Sequence, residues 1–212
     1  WKVFPALICG NTVVLKASED SPRIAQLFAG LAKAAGLPDG VLNVIQGRGD
    51  PAGAALVDDP RVAVISFTGS TGVGRRIAEV AGRRLARVSL ELGGKNPFVV
   101  CDDADLDQAV HWAALSAFSN AGQRCAAGSR MIVFRGVYEA FRDRLVAKAR
   151  SLKLGTAAGC DLGPVVNRRQ QRMILDAIEL ARSEGGRVLC GGNAPDAPEL
   201  ANGCYVAPTL IE

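Results

Sequence analysis

The chain has 212 residues, 49% of them hydrophobic, enough to bury a core as one large domain or two small ones. Its 25 basic side chains only slightly outnumber 21 acidic ones, and the arginines (Arg83, Arg84 and Arg87; Arg168, Arg169 and Arg172) are scattered rather than interleaved with aromatics, which argues against a nucleic-acid partner. No apolar run approaches the ~20 residues of a membrane span and nothing near the start reads as a secretory signal, so a cytoplasmic protein without a membrane partner is expected.

Taken in order, the first ninety-odd residues alternate β-branched runs with helix-period segments, the pattern of parallel strands joined by crossover helices. "TVVLK" (12–16) reads as a strand. Ser21 and Pro22 start a helix in which Ile24, Leu27, Phe28 and Leu31 recur at helical spacing and are expected to bury one face, with Gly36 closing it. "VLNVIQG" (41–47) is a strand, "DPAGAALVDD" a short helix, "VAVISFTGS" (62–70) a strand running into a glycine turn, and 72–82 a helix. "RVSLELGGKNPFVV" gives two extended pieces around a double glycine, where a boundary between 1–93 and 94–212 is placed. Beyond it come a helix near 105–118, a strand at "MIVF", helices at about 137–152 and 167–184, and strands at "RVLCG" and "CYVAPTLI". The sequence opens on Trp1 and stops at Glu212 just after a strand-like run, so an internal fragment is expected.

Six cysteines without a Cys-x-x-Cys pair, and a single histidine, His111, leave no metal site to expect. Asp103, Asp105 and Asp107 begin like a calcium loop, but Gln108 stands where glycine is needed and Ala114 where the bidentate glutamate belongs. Those acids read instead as favouring a helix N-terminus.

Four other stretches could carry chemistry. In "SFTGSTGVGRR", Gly69, Ser70, Gly72 and Gly74 lie between a strand and a helix, where backbone N–H groups and the helix dipole can meet a phosphate; the alternative is a tight turn and nothing more. "VVLKASEDSP" puts Lys16 at a strand end and Glu19 three residues on, a pair able to hold ribose hydroxyls; otherwise Glu19 favours the next helix start and Lys16 is solvated. Glu91, in "LELGGKNP", sits in an apolar run, where a carboxylate is costly unless paired, and is a candidate general base; the alternative is an edge-strand glutamate facing water. Cys125, in "FSNAGQRCAAGSRM" (118–131), has no histidine close in sequence, so a papain-like Cys-His pair fits poorly and Glu91 is the better base.

"LELGGKNP" and "FSNAGQRCAAGSR", with Glu91 and Cys125 34 residues apart, resemble the glutamate and cysteine active-site signatures of the NAD(P)-dependent aldehyde dehydrogenase superfamily. "GNTVVLKASEDSP", "FTGSTGVG", "LGPVV" and "YVAPTL" resemble that family too, in the same order, so the likeness spans the chain. It implies an α/β fold of the aldehyde dehydrogenase type: 1–93 the latter part of a Rossmann-like parallel-sheet NAD-binding domain, and 94–212 the first part of an α/β catalytic domain. It also implies oxidation of an aldehyde to an acid. Cys125 forms a thiohemiacetal and then a thioester, which water activated by Glu91 hydrolyses. By the same likeness, Lys16 and Glu19 contact the adenosine ribose, and Gly69, Ser70, Val73 and Gly74 lie under the pyrophosphate and adenine. Gly49 and Gly53 make another close backbone approach to the cofactor, and Leu92 sits where the backbone faces the nicotinamide. Glu19 would repel a 2′-phosphate, which favours NAD over NADP, and the presence of Glu91 favours hydrolysis over transfer to coenzyme A.

The chain also departs from the family. "WKVFP" resembles the run before Gly-Asn-Thr, not the asparagine segment that stabilises the oxyanion, so that asparagine is expected upstream and the piece alone is expected to be inactive. Where many relatives have a second cysteine or a threonine after the nucleophile, this chain has Ala126. The resemblance further implies a homo-oligomer in the full-length protein. Two rival readings remain at this point: a cysteine-dependent hydrolase that needs no NAD, and a catalytically dead structural homologue.

Overall fold

Three stretches repeat one arrangement: a short β-branched strand, a helix of 13 residues and a second strand parallel to the first. Parallel neighbours cannot be joined by a tight turn, so each pair needs such a crossover. In the computed structural model, which describes residues 1–212, a short helix α1 (Val3–Ile8) precedes them. The repeats are β1 (Val13–Lys16), α2 (Pro22–Ala34) and β2 (Leu42–Ile45); then, after the short helix α3 (Ala54–Asp58), β3 (Val64–Gly69), α4 (Thr71–Arg83) and β4 (Arg87–Leu92); and finally β5 (Asn96–Val100), α5 (Leu106–Phe118) and β6 (Gly128–Val133). Helices α6 (Tyr138–Ser151) and α7 (Arg168–Ser183) follow, with an antiparallel pair of β7 (Val188–Cys190) and β8 (Leu210–Ile211). The chain divides into two compact units, Trp1–Gly93 and Gly94–Glu212. No helix is long and apolar enough to cross a membrane.

Local chemistry sets the helix starts. Pro22 occupies the first turn of α2, where its missing N–H costs nothing. Ser70 caps α4, accepting from the Val73 N–H. Asp105 caps α5, its carboxylate accepting from the Asp107 and Gln108 N–H groups at 3.0 and 3.1 Å, and Asp107 lies in the first turn, so these two acids serve a helix N-terminus.

The two units differ in their cores. In Gly94–Glu212, Val100, Val110, Ala113, Ala114, Phe141 and Leu145 form a continuous buried cluster, with Phe141 only 1% exposed. In Trp1–Gly93 the buried cluster is Ile65, Ile77 and Ala81. Helix α2 buries no residue: Ile24, Leu27 and Leu31 are 72%, 56% and 70% exposed, contrary to the expectation of a buried face. Only its other flank is partly covered, where the Phe28 ring meets Phe4 of α1 edge-on at 5.1 Å.

Other expectations also shift. Sequence periodicity missed α1 in "WKVFPALI", where Pro5 falls inside the first turn and breaks no helical hydrogen bond. "CYVAPTLI" pairs as a strand only at Leu210–Ile211. Pro208 has no N–H for a ladder, and the Cys204 and Tyr205 carbonyls accept instead from the Val165 N–H (2.9 Å) and the Gln171 side chain (2.7 Å). The parallel sheet of the first unit consists of two pairs, β1–β2 and β3–β4, that are not hydrogen-bonded to each other.

Candidate active site

Within Trp1–Gly93, the residues singled out in the sequence gather at the carboxyl ends of the two parallel pairs. Lys16 ends β1 in register with Ile45 of β2. Its ammonium donates to Glu19 Oε2 at 3.3 Å and to the Gly47 carbonyl at 3.2 Å. The Lys16 side chain is 20% exposed, so the reading of a freely solvated lysine does not hold. A Cβ at Gly53 would lie 3.7 Å from Lys16 Cδ, which places that glycine against the same side chain. Gly49 has open space where a Cβ would be, leaving its backbone bare. Gly47 must be glycine for two reasons: its φ is +147°, and a Cβ there would come within 2.7 Å of the Ala52 Cβ.

At the second pair, Gly69 is in register with Leu92 and Thr68 with Glu91. The turn then enters α4 through Ser70, whose hydroxyl oxygen accepts from Val73 at 3.4 Å and keeps its own proton to donate. A Cβ at Gly74 would come within 2.6 Å of Leu92 Cδ2, so the first turn of α4 rests directly on that leucine. The Val73 side chain is half exposed beside this turn. Glu91 is exposed. Along β4, Leu90 and Leu92 turn inward while Ser89 and Glu91 turn outward, the ordinary alternation of a strand. Read strictly by period two, "SLEL" already places that carboxylate on the open face.

Within Gly94–Glu212, Cys125 lies in the loop between α5 and β6, and its thiol is free and exposed. The loop leaves α5 through Asn120 and Ala121, both left-handed at φ 55° and 54°, a conformation costing side-chain-bearing residues about 1–3 kcal/mol each. Several bonds hold it there. Asn120 and Gln123 exchange side-chain-to-carbonyl bonds at 3.3 and 3.1 Å. The Val166 N–H, in the "LGPVV" run, donates to Gln123 Oε1 at 2.9 Å. The Gly128 N–H donates to Ser116 Oγ of α5 at 3.0 Å, and a Cβ at Gly128 would crowd that oxygen at 2.9 Å. The Asn96 side chain donates to the carbonyls of Cys125 (2.5 Å) and Ala127 (3.2 Å). Sequence reasoning named Cys125 but missed Asn96, Ser116 and Gln123. Asn96 and Gln123 were visible as polar side chains near turn-forming glycines and Ser116 as a serine inside a helix, without any mark of what they hold.

His111 sits on α5 with its ring edge-on to Trp112 at 5.0 Å. No group of histidines, cysteines and carboxylates could hold a metal ion. Hydrogen bonds from Arg61 hold the Asp59 carboxyl down at about 2, burial pushes the Cys190 thiol up, and the hydrogen bond to Glu212 pushes the Tyr138 hydroxyl up.

One unit thus offers glycine turns at the ends of parallel strands, and the other a fastened loop carrying a free thiol, within an α/β chain. A sequence profile of the aldehyde dehydrogenase family matches residues 1–212, and the chain belongs to that family. It is 46% identical to a betaine aldehyde dehydrogenase of Cereibacter sphaeroides over all of this chain and 43% of that protein. It is also 46% identical to a phenylacetaldehyde dehydrogenase of Pseudomonas fluorescens, covering 42% of it. Among solved structures, it superimposes on PnpE in complex with nicotinamide adenine dinucleotide with a TM-score of 0.97 at 43% identity, over all of this chain and 44% of that one. A betaine aldehyde dehydrogenase of Staphylococcus aureus in complex with NAD+ gives 0.97 at 35% identity, covering 42% of that chain. The chain therefore spans less than half the length of these relatives.

Proposed function

We propose that the whole protein is an NAD-dependent aldehyde dehydrogenase, in which residues 1–93 belong to the NAD-binding domain and 94–212 to the catalytic domain. The observation that carries this reading is Cys125: a free, exposed thiol on a loop that is strained yet fastened. Strain held by side-chain bonds is how a fold keeps a reactive group in one orientation.

The first unit fits the cofactor. Lys16 and Glu19 present a cation and a carboxylate at the end of β1, the arrangement that suits ribose hydroxyls, and Glu19 disfavours a 2′-phosphate. Gly49 leaves its backbone bare for a ligand over those strand ends, Gly53, Gly69 and Gly74 let the turns close down on Lys16, Phe67 and Leu92, and Ser70 has a hydroxyl proton to donate. Val73 supplies an exposed apolar surface and Leu92 shapes the β4 end beneath Gly74. When bound, NAD accepts the hydride.

Cys125 performs the covalent work. Its thiolate attacks the aldehyde carbon, forming a C–S bond and leaving an oxyanion on the former carbonyl oxygen. Collapse of that oxyanion expels the hydride and leaves a thioester on Cys125. Glu91 takes a proton from water, whose hydroxide adds to the thioester carbon; the C–S bond breaks, releasing the carboxylic acid and regenerating the thiolate. A carboxylate facing outward on a strand, as Glu91 does, is placed to meet water rather than to pack in a core. The substrate class is an aldehyde, for which the relatives named for betaine aldehyde and phenylacetaldehyde are the first to try.

The test is NADH release by the whole protein across a panel of aldehydes. Glu91→Gln should keep a burst of NADH and lose steady turnover; an unchanged steady rate removes Glu91 from the mechanism. Equal kcat/KM for NAD and NADP would remove the role given to Glu19.

A further inference from the structure

We propose that Asn96 is a positioning residue for the nucleophile: its side-chain amide fixes the peptide that follows Cys125, a task the backbone cannot perform at this place. The inference rests on the reading of Cys125 as the nucleophile. It starts from an irregularity in the β5–β6 ladder, where Asn96 is in register with Gly128 but Pro97 with Arg130, so that Ser129 is an extra residue on β6. Pro97 has no N–H to give to the neighbouring strand. Both N–H groups of the Asn96 amide are turned instead onto main-chain carbonyls of the nucleophile loop, those of Cys125 at 2.5 Å and Ala127 at 3.2 Å. No other residue type of this size offers two donors on one nitrogen in a plane, and an acid in its place would present only acceptors to two carbonyl oxygens.

The consequence for the thiol is geometric. The carbonyl of Cys125 lies in the rigid plane of the Cys125–Ala126 peptide, so holding its oxygen sets ψ at Cys125 and with it the orientation of that residue's backbone about Cβ. The other fastenings act elsewhere on the loop: Gln123 with Val166 on the approach to Cys125, and Ser116 with Gly128 after it. Asn96 is the one whose bond reaches the nucleophile itself. It follows Glu91 by five residues in sequence, so the run that carries the base also carries the clamp on the thiol.

Two variants of the whole protein test this, each read by aldehyde oxidation and by the rate at which iodoacetamide alkylates Cys125, located by peptide mapping and followed against pH without NAD. Asn96→Ala should lower kcat by roughly 10–100-fold while KM for NAD stays within about twofold, since the displaced group is the nucleophile and not the cofactor turns. Asn96→Asp keeps the side-chain shape, and its charge should move the alkylation midpoint to higher pH; this variant decides the matter if the alanine form does not fold. If both variants alkylate at the parental rate with the parental midpoint and turn over within about twofold, Asn96 is a structural residue only and the proposal is overturned. Cys125→Ser is run beside them: aldehyde oxidation surviving in that variant sinks the nucleophile reading itself, an outcome distinct from failure of the Asn96 clamp.

Discussion

Trp1–Gly93 and Gly94–Glu212 present their candidate functional residues by opposite means. In the first, the candidate cofactor residues are mostly glycines that let turns at strand ends and a helix start pack tightly, with one Lys16–Glu19 pair, in a unit whose buried cluster has three side chains. In the second, the loop that carries the candidate nucleophile Cys125 is held by polar bonds with β5, α5 and the "LGPVV" run, in a unit whose core includes a fully buried phenylalanine. The difference teaches where each site is fragile. A backbone cradle is harmed by adding atoms to a glycine, whereas a clamped nucleophile is harmed by removing atoms from its neighbours.

The largest effect should come from the second unit. Cys125→Ser in the whole protein should reduce aldehyde oxidation by at least about 10³-fold while NAD still binds, measured by turnover and by fluorescence titration. Weakened NAD binding would break the division of labour between the units. In stability the same asymmetry is expected. Phe141→Ala should cost about 3–5 kcal/mol in urea unfolding, because it empties a well-packed site. Leu27→Ala, on the open face of α2, should cost within about 0.5 kcal/mol. A Leu27 penalty approaching that of Phe141 in the whole protein would mean that further chain covers α2. Ser70→Ala falls between the two at about 1 kcal/mol, the usual worth of a helix cap, and should also raise KM for NAD because the same hydroxyl faces the glycine turn.

The parts that local pattern determines could be read in advance. Period and turn chemistry located the strand–helix–strand repeats because each is decided by neighbours in sequence, such as Pro22 at a helix start or Gly69 and Ser70 at a strand end. Glu91 and Cys125 stand out as candidates because their flanking residues form recognisable runs. The rest depended on partners distant in the chain. Asn96 looks like an ordinary polar strand start until Cys125 is folded against it 29 residues on, and "CYVAPTLI" looks like a strand until Val165 and Gln171 claim its carbonyls. The exposed stripe of α2 failed for the complementary reason, since helical spacing says which residues share a face and not whether anything lies against it.

The smallest effects should separate the units by pH. The Asp59 carboxyl in the first unit is held at about 2, below its ordinary 3.8, chiefly by side-chain hydrogen bonds from Arg61 and then by the Arg61 N–H. A depressed carboxylate stabilises the folded form above the ordinary value, and that contribution is lost as pH falls from about 4 towards 2. Cys190 in the second unit has the opposite sense. Burial raises its thiol above the ordinary 9.0, so its contribution is full below that value and is lost as pH rises through it, when the unfolded chain gains charge that the folded site resists. Asp59→Asn should therefore flatten the acid limb of a stability–pH curve and leave the alkaline limb alone, and Cys190→Ala should do the reverse. Because the Asp59–Arg61 pair is exposed, its acid effect should also shrink in high salt, whereas the alkaline effect of Cys190, which arises from burial rather than from a partner charge, should not. A salt-sensitive alkaline limb would show that the nearby Arg150 charge, and not desolvation, governs that thiol.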